Sequence, residues 1–471
     1  MNQQLSGRKT EKEVLLKALA SPEAEMVSVT GRRRVGKTFL VRTVYKGRID
    51  FEITGIQKAT GAEQLRNFTN QLKVFAPNMI IPKPPKDWLE AFFMLIEYLK
   101  QKNKSEKMVV FFDELPWLST HKSGFLKGLS YFWNSWASQQ NIVVVICGSS
   151  ASWMINKIIR NKGGLHNRVT QRIQLNPFTL GETAQFLQSR GVFLDRYQIL
   201  LLYMVMGGVP HYLKEIDGNR SAVQHINQIC FSGNGLLASE FSNLYHALFD
   251  HADYHLAIIR ALSGKHYGMV RKEIVEAIPY QDSGRISRVL EELIESGFVS
   301  EYFPFGKKKK EKVFRLSDEY SLFYLRFIEK SRHDGPDVWN MLSQTQEFKT
   351  WTGYAFENIC LKHIPQIKKA LGISGIYAAS SAFVKAGIQI DLVLDRNDRT
   401  INLFEIKFYN TPYSLTKAEA NSLRDKLRVF QESTGTRKMA TWIMLSTFGL
   451  HPNAHSIGLI AQSLDMDALF E

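Results

Sequence analysis

Two kinds of hydrophobic pattern alternate along the first third of the chain. The runs MVSVT, MVVFF and IVVVIC are short and almost continuously apolar, which is typical of parallel strands buried on both faces. After the first of them, the segment TFLVRTVY opens a helix. Strands that alternate with helices predict an α/β fold built on a parallel sheet.

A different pattern lies in the C-terminal third, where residues 388–408 predict a hairpin of two alternating strands. With a loop over residues 396–400, one face becomes almost wholly apolar, and its members are Ile388, Ile390, Leu392, Leu394, Asn402, Phe404, Ile406 and Phe408. The other face then places Asp391 opposite Glu405, with Lys407 pointing into the same site. Facing carboxylates destabilise a strand pair by up to about 1 kcal/mol, and a divalent cation between them would remove that repulsion. An exposed polar face with unrelated charges remains the alternative.

Composition narrows the class of protein. The chain has 471 residues, enough for about three or four domains. It lacks an apolar run near the roughly 18 residues of a membrane span, and its N-terminus lacks a signal core, so we expect a cytoplasmic protein with no membrane partner. Three widely spaced cysteines predict neither a disulfide framework nor a zinc site. A formal net charge of +15 favours polyanionic partners, nucleic acid first.

The most specific motif is a phosphate-binding loop at residues 31–38, GRRRVGKT, which fits G-x-x-x-x-G-K-T between a strand and a helix. Backbone N–H groups of such a loop wrap phosphates, Lys37 reaches the terminal phosphates, and Thr38 can hold Mg²⁺. The nucleotide-contacting residues that we predict are Gly31, Arg32, Arg33, Arg34, Val35, Gly36, Lys37, Thr38 and Phe39. The three arginines could face phosphate or water, and the sequence does not decide between these.

Two further strand ends complete the predicted nucleotide site. MVVFF is followed by Asp113 and Glu114, and acids at the carboxyl end of a buried strand are well placed to organise Mg²⁺ and orient a water. We assign Asp113 to the metal and Glu114 to the water. IVVVIC ends at GSS, where Ser149 could sense the terminal phosphate, although Gly-Ser-Ser is also ordinary turn chemistry.

Together, GRKTE, GRRRVGKT, FFDELPWL, CGSS, LNPFTLGE and GGVPHYL resemble the AAA+ class of P-loop ATPases, close to the prokaryotic signal-transducing and origin-recognition branches. The resemblance covers residues 1–245. It implies ATP as cofactor, Gly7 and Arg8 near adenine, and a helical lid that contains residues 207–213. It also suggests that Arg168 is an arginine finger, which contacts a phosphate in its own chain or in a neighbouring subunit. An ordinary surface salt bridge of Arg168 is an alternative of equal weight.

In the middle of the chain, residues 254–264, 269–278 and 283–297 predict three short helices, followed by a hairpin with a lysine-rich loop. This order resembles a winged helix. The third helix leaves Arg285 and Arg288 facing outward, and these residues, with Lys307, Lys308, Lys309 and Lys310, are our candidates for DNA contact through phosphates. A solvated lysine loop is the alternative.

The last domain begins with a helix in which Glu357 shares a stripe with Leu361 and Ile364, so this acid is drawn toward the core. Glu357, Asp391 and the EIK motif of Glu405 and Lys407 resemble the PD-(D/E)XK nuclease fold, although Ile390 stands where that motif has proline. The resemblance implies Mg²⁺ or Mn²⁺ on Asp391 and Glu405, Glu357 in the outer shell, and Lys407 beside the scissile phosphate. A domain that binds without cutting remains the alternative.

The predicted architecture is a P-loop AAA+ ATPase core at residues 1–175, a helical lid at 176–245, a winged-helix domain at 246–335, and an α/β nuclease-like domain at 336–471. The predicted function is an ATPase whose nucleotide state regulates a metal-dependent DNA nuclease. Alternatives are a switch or scaffold that does not cut and a transcription regulator. The sequence leaves open whether the protein forms homo-oligomers or has a protein partner.

Overall fold

The structure is a computed structural model. It describes residues 5–81, 83–102, 105–160, 163–249, 251–280, 283–307, 311–331, 337–385 and 387–471. The chain divides into two compact units, Met1–Asn176 and Pro177–Glu471. Within the described residues, no helix combines the length and apolar character that crossing a membrane requires.

The first unit is built on a five-stranded parallel sheet in the order β2-β3-β4-β1-β5. Its strands are β1 Glu25–Thr30, β2 Phe51–Thr54, β3 Met108–Asp113, β4 Ile142–Gly148 and β5 Gln171–Gln174. Every residue of β3 and β4 is buried, as the apolar runs predict. Successive residues of β3 point to opposite faces of the sheet. Val110 and Phe112 pack in the hydrophobic core on one face, and Val109 and Phe111 pack in the core on the other.

Helices connect these strands and cover both faces of the sheet. They are α1 Lys9–Ala20, α2 Lys37–Val44, α3 Gly61–Phe75, α4 Trp88–Leu99, α5 Leu115–Leu118, α6 Phe125–Ser135 and α7 Ala151–Met154. A 3₁₀ turn at Ala137–Gln139 follows α6, and a π-helical turn at Ile155–Ile159 continues α7. The predicted α/β core with a parallel sheet is therefore confirmed.

The second unit begins with helices and a small sheet. Its helices are α8 Leu180–Ser189, α9 Arg196–Met206, α10 Pro210–Leu213, α11 Ala222–Ile226, α12 Glu240–Leu248, α13 Ala252–Ser263, α14 Arg271–Ala277, α15 Ser283–Glu295, α16 Glu319–Phe323, α17 Val338–Leu342, α18 Gln346–Lys362, α19 Ile364–Ala370 and α20 Lys417–Thr434. π-helical turns at Asn227–Phe231 and Tyr324–Ile328 follow α11 and α16, and a 3₁₀ turn lies at Met466–Leu469.

The three helices predicted in the middle of the chain are α13, α14 and α15. The predicted hairpin is also present, formed by β7 Val299–Tyr302 and β8 Val313–Leu316. A short strand, β6 Met269–Val270, pairs with β8 and gives the antiparallel order β6-β8-β7. The helix predicted over residues 269–278 begins two residues later, at Arg271, because Met269 and Val270 form β6.

The C-terminal sheet has five strands in the order β13-β12-β11-β10-β9. They are β9 Ala378–Lys385, β10 Ile388–Arg396, β11 Thr400–Lys407, β12 Met439–Ser446 and β13 Ile460–Leu464. Strands β9, β10 and β11 are antiparallel neighbours, whereas β11, β12 and β13 are parallel. Helix α20 makes the crossover that the parallel pair of β11 and β12 requires.

The predicted hairpin pairing of β10 with β11 is confirmed, but one predicted face is wrong. Leu392 pairs with Phe404, as the assumed loop requires. Leu392 and Leu394 pack in the core that contains Phe404, whereas Ile388 and Ile390 pack with Val393 in the core on the opposite face. The pairing of β10 with β9 shifts register between Ile390 and Val393. This bulge reverses the alternation beside Asp391, which periodicity alone could not reveal.

One continuous hydrophobic core runs through the second unit. It contains residues of α8 and α9, of α13 and α15, of α18, and of the β10 and β11 face that carries Leu392 and Phe404. Trp351 of α18 lies against Phe323 and Phe327, with ring centroids 5.3 and 5.5 Å apart. The segments predicted as lid, middle domain and C-terminal domain therefore share buried surface within this unit.

Candidate functional site

The phosphate-binding loop connects β1 to α2 in the first unit. Lys37, the first residue of α2, is buried, and its Nζ donates to the carbonyl oxygens of Gly31 at 2.8 Å and Arg32 at 2.9 Å. Gly31 has φ 147°, and a Cβ there would lie 2.3 Å from the carbonyl oxygen of Leu175. Glycine is thus required at this position by both backbone conformation and close approach.

The acids at the end of β3 lie beside this loop. Thr38 Oγ1 donates to Asp113 Oδ2 at 2.8 Å, so the predicted Mg²⁺ ligands are already adjacent. Asp113 Oδ1 accepts from the backbone N–H of Glu114 at 3.0 Å. Glu114 has a left-handed backbone with φ 47°, a conformation that costs energy in a residue with a Cβ and that recurs at functional sites.

Ser149 contacts Glu114 directly. Its backbone N–H donates to Glu114 Oε2 at 3.0 Å, and its hydroxyl donates to the same oxygen at 2.7 Å. The end of β4 therefore holds the carboxylate that we assigned to the attacking water. Nearby, burial raises the pKa of the Cys147 thiol well above its usual range, so this cysteine is a neutral packing residue.

The arginines of the first unit occupy different surroundings. Arg8 is buried, and its Nη2 donates to the carbonyl oxygen of Val35 in the loop at 3.4 Å. Arg32 is also buried, and the guanidinium of Arg33 lies 5.5 Å from the ring centroid of Trp117. Arg168 is exposed. The predicted contacts of these residues with nucleotide, together with those of Gly7, Arg34, Val35, Gly36 and Phe39, stay predictions.

In the second unit, Glu357 is buried on α18 and each of its oxygens has a basic partner. Oε1 lies 2.9 Å from Arg315 Nη1, and Oε2 accepts from His266 Nε2 at 3.0 Å. Burial alone would raise the pKa of Glu357, but the hydrogen bond from His266 and the charge of Arg315 outweigh burial and lower this pKa. The partner that the sequence required for this buried acid comes from the loop after α13 and from β8.

Asp391 lies at the bulge of β10, and burial together with repulsion from Glu357 raises its pKa to about 6. Glu405 adds a further repulsion, and a hydrogen bond of 2.6 Å from Gln389 Nε2 to Asp391 Oδ1 opposes the shift. Asp391 is therefore within electrostatic reach of both Glu357 and Glu405. A bound cation would relieve the repulsion that Asp391 experiences.

Glu405 lies between two lysines. Its Oε1 is 3.0 Å from Lys407 Nζ, and its Oε2 is 3.0 Å from Lys426 Nζ of α20. Burial would lower the pKa of Lys407, but the charge of Glu405 raises it, so Lys407 is a cation.

The carboxylates fit a divalent cation in chemical type but not in their present arrangement. Among the described residues, no group of three or more His, Cys, Asp or Glu side chains stands ready to hold a metal. The oxygens of Glu357 and Glu405 point to basic side chains instead. Any metal site that uses these acids must therefore rearrange their ion pairs.

Sequence reasoning missed His266, Arg315 and Lys426, because they are far from the motif along the chain. Two tyrosines were also missed: the pKa of Tyr267 and of Tyr302 is raised first by burial and further by the charges of Asp391 and Glu357. The Tyr302 hydroxyl donates to the carbonyl oxygen of Tyr267 at 2.8 Å. The one available signal was the need of a buried Glu357 for a cationic partner.

The basic residues of the middle segment are mostly paired. Arg285 is half-buried, with its guanidinium 4.0 Å from the ring centroid of Tyr254, and its contact with DNA stays a prediction. Arg288 is exposed and lies 3.2 Å from Glu292. Lys307 and Lys312 lie 2.7 Å from Glu311 and Glu301. The predicted contacts of Lys308, Lys309 and Lys310 fall outside the described residues.

Comparisons with known proteins agree with the geometry of the first unit. Residues 5–216 match the model of a family described as an ATPase domain predominantly from Archaea. An uncharacterized protein of Methanocaldococcus jannaschii is 22% identical over 406 residues, which span 85% of this chain and 87% of the relative. The match thus covers most of both chains.

Two solved structures are also similar to the chain. A Walker-type ATPase of Pyrococcus abyssi is 17% identical, and the match covers 69% of this chain and 97% of that chain with a TM-score of 0.51. The ORC2 protein of Aeropyrum pernix, in its ADPNP and ADP complexes, is 15% identical over 70% of this chain and 95% of that chain, with a TM-score of 0.43. Residues 5–216 therefore match an ATPase domain of archaeal type, and the Pyrococcus abyssi structure shows a similar fold.

Proposed function

We propose that the protein binds and hydrolyses ATP in its first unit and that the nucleotide state governs a metal-dependent DNA nuclease site in its C-terminal domain. The observation that carries the ATPase half is the contact between Thr38 and Asp113 beside the buried Lys37. This arrangement supplies a hydroxyl and a carboxylate for Mg²⁺ and a cation for the terminal phosphates.

In this proposal Glu114 orients the attacking water and Ser149 holds the Glu114 carboxylate in place until nucleotide arrives. The two hydrogen bonds from Ser149 to Glu114 support that role. Lys37 would exchange its two carbonyl partners for phosphate oxygens, which are the stronger acceptors because they are charged.

The nuclease half is supported by the C-terminal sheet and its buried acids. An antiparallel group, β9 to β11, followed by parallel β12 and a crossover helix places Asp391 and Glu405 on adjacent strands. Bound Mg²⁺ or Mn²⁺ would polarise a phosphodiester and lower the pKa of an attacking water. Asp391 and Glu405 would hold that ion, Glu357 would complete its outer shell, and Lys407 would lie near the scissile phosphate.

The middle segment, with three helices and a small sheet, resembles a winged helix and would supply DNA contacts. Arg285, Arg288 and Lys307 are its described candidates for DNA contact. Arg288 and Lys307 each pair with a glutamate, and a DNA phosphate would replace that glutamate. The predicted helical lid at residues 176–245 and the predicted boundaries of the other domains stay part of this proposal.

The main alternative is a nucleotide-dependent switch or scaffold that binds DNA or a protein without cutting. The observation that favours it is the pairing of both oxygens of Glu357 and of Glu405 with basic groups.

A plasmid assay separates the two proposals. Wild type, Asp391→Ala and Lys37→Ala would each be incubated with supercoiled plasmid and Mg²⁺ or Mn²⁺, with and without ATP. We expect wild type to nick the plasmid, Asp391→Ala to lose nicking while still hydrolysing ATP, and Lys37→Ala to lose the ATP dependence. Asp398→Ala, in the exposed turn of the same hairpin, is the matched control and should behave as wild type. A wild type that hydrolyses ATP and never nicks DNA would leave the alternative standing.

A further inference from the structure

The two basic partners of Glu357 belong to a different part of the chain from Glu357 itself. Arg315 belongs to β8 and His266 to the loop after α13, both in the middle segment, and together they contact both oxygens of the carboxylate. Arg315 is 7% exposed and Glu357 is 7% exposed, so water does not compete for these contacts. We refer to Arg315 and His266 as the Glu357 clamp, because both contact the carboxylate of Glu357.

Such pairing opposes the binding of a cation. A carboxylate that holds a metal directs oxygen lone pairs at the ion or at water on the ion. Here Oε2 already accepts a hydrogen bond from His266, and Oε1, which accepts no hydrogen bond from the described residues, lies 2.9 Å from the cationic Nη1 of Arg315. The positive charge of Arg315 beside Asp391 also repels a second cation, and this charge acts on Asp391 as well as on Glu357. The middle segment therefore supplies the charge that a metal would otherwise supply.

Resting on the nuclease function proposed above, we propose that the Glu357 clamp is an autoinhibitory contact, which keeps the C-terminal acids from taking up a divalent cation until the clamp opens. Arg315 and His266 are then regulatory residues of this site, contributed by the middle segment.

The clamp opens locally rather than by separation of the segments. Asn358, next to Glu357, donates through Nδ2 to the carbonyl oxygen of Ser317 at 3.0 Å, which ties α18 to the end of β8. The shared hydrophobic core adds to this attachment. The His266 half is the more accessible one, because the side chain of His266 is 19% exposed and that of Arg315 is 8% exposed. Movement of the loop that carries His266 would release one oxygen of Glu357.

Cation binding by the full-length protein tests the clamp without relying on cleavage. All proteins would carry Asp113→Asn, so that the first unit contributes no competing cation site. Arg315→Met removes the guanidinium and keeps a long side chain, whereas His266→Phe removes the hydrogen bond and keeps a ring against Tyr354. Arg260→Met is the matched control, since Arg260 makes a two-bond ion pair of 2.7 Å with Glu329 outside the site.

Mn²⁺ affinity would be measured by calorimetry and by the electron paramagnetic resonance of bound Mn²⁺, with thermal unfolding as the check on folding. We expect Arg315→Met and His266→Phe to bind Mn²⁺ about tenfold more tightly than the parent, a difference of about 1.4 kcal/mol. Arg260→Met should match the parent, and adding Glu357→Gln should cancel the gain.

The outcomes separate the clamp from the nuclease proposal. Equal Mn²⁺ affinity in the parent and in both clamp variants would overturn the clamp and leave the cation site intact. If neither the parent nor a folded clamp variant binds Mn²⁺, the metal-dependent nuclease proposal fails together with the clamp. If Arg315→Met does not fold, the result for His266→Phe decides.

Discussion

At the scale of single residues, the two candidate sites differ in how ready they are for chemistry. Lys37, Thr38 and Asp113, our candidates for the nucleotide site, already lie together, because the loop, the helix start and the strand end converge on one edge of the parallel sheet. Glu357 and Glu405, in contrast, are neutralised by neighbouring basic groups. Asp391 is the exception, with a neutral amide as its hydrogen-bond partner and a raised pKa.

Replacing Lys37 should abolish productive nucleotide binding. In Lys37→Ala the terminal phosphates lose a buried cationic donor, and charge-assisted hydrogen bonds of this kind contribute about 1.5–3 kcal/mol each. We expect ATP hydrolysis, measured by phosphate release, to fall about 100-fold, consistent with about 2.7 kcal/mol of lost stabilisation. Lys46→Ala, an exposed lysine just beyond α2, is the control. Undiminished hydrolysis in Lys37→Ala would place the ATPase site elsewhere.

Asp391 should make the protein's stability depend on pH. Its pKa is raised from 3.8 to about 6, so the folded state binds a proton that the unfolded state releases earlier as the pH rises. The stability that Asp391 contributes is therefore present below about pH 4 and is lost as the pH rises through about 6. We expect Asp391→Asn to gain roughly 2 to 3 kcal/mol over wild type between pH 4 and pH 7.5, at 1.36 kcal/mol per pKa unit.

The measurement is the free energy of unfolding in urea for both proteins across that pH range. Taking the difference between them removes groups that titrate identically in each. A difference that stays constant with pH would show that Asp391 ionises as an ordinary exposed aspartate does.

At the scale of elements, two local backbone features determine where the site residues lie. The bulge in β10 reverses the alternation between Ile390 and Val393 and changes the surroundings of Asp391. The loop between β1 and α2 depends on Gly31, which lies against the backbone of Leu175 beyond β5. Both features are matters of backbone conformation rather than of side-chain chemistry.

Substitution of Gly31 should destabilise the first unit through two effects, the strain of an unfavourable φ and a steric clash of the added Cβ with the backbone of Leu175. Gly31→Ala meets the Leu175 carbonyl oxygen at 2.3 Å, and we expect a loss of about 2 to 4 kcal/mol. Gly47→Ala is the matched comparison, because Gly47 has φ 73° but no neighbouring atom within 4 Å of an added Cβ, so it should lose about 1 kcal/mol. Urea unfolding of the two variants gives the values, and equal losses would show that the close approach is relaxed without cost.

At the scale of the whole molecule, the units divide the chain differently from the predicted domains. The family match runs from residue 5 to 216, whereas the first compact unit ends at Asn176. Helices α8 and α9 thus match the ATPase family but share a core with the C-terminal sheet. Tyr197 of α9 lies against Phe408, with ring centroids 5.7 Å apart, directly after Lys407.

This shared core predicts how fragments of the chain behave. We expect residues 177–471 to unfold as one cooperative unit, because the buried surface is continuous through them. Residues 336–471 alone should aggregate or unfold at a much lower temperature, since Trp351 loses its contacts with Phe323 and Phe327 and Phe408 loses its contact with Tyr197. Calorimetry of the two purified fragments makes the comparison. A monomeric 336–471 fragment with a sharp transition would show that this domain is independent.

The sequence by itself determined the α/β core, the phosphate-binding loop with Lys37 and Thr38, the strand that ends at Asp113, and the pairing of β10 with β11. These follow from local causes: hydrophobic periodicity, glycine at fixed positions and the length of a turn. Only the tertiary structure decided the partners of Glu357, the bulge beside Asp391, the stacking of Arg285 on Tyr254 and the division of the chain at Asn176. Those depend on contacts between residues far apart along the chain, and no pattern within one segment encodes them.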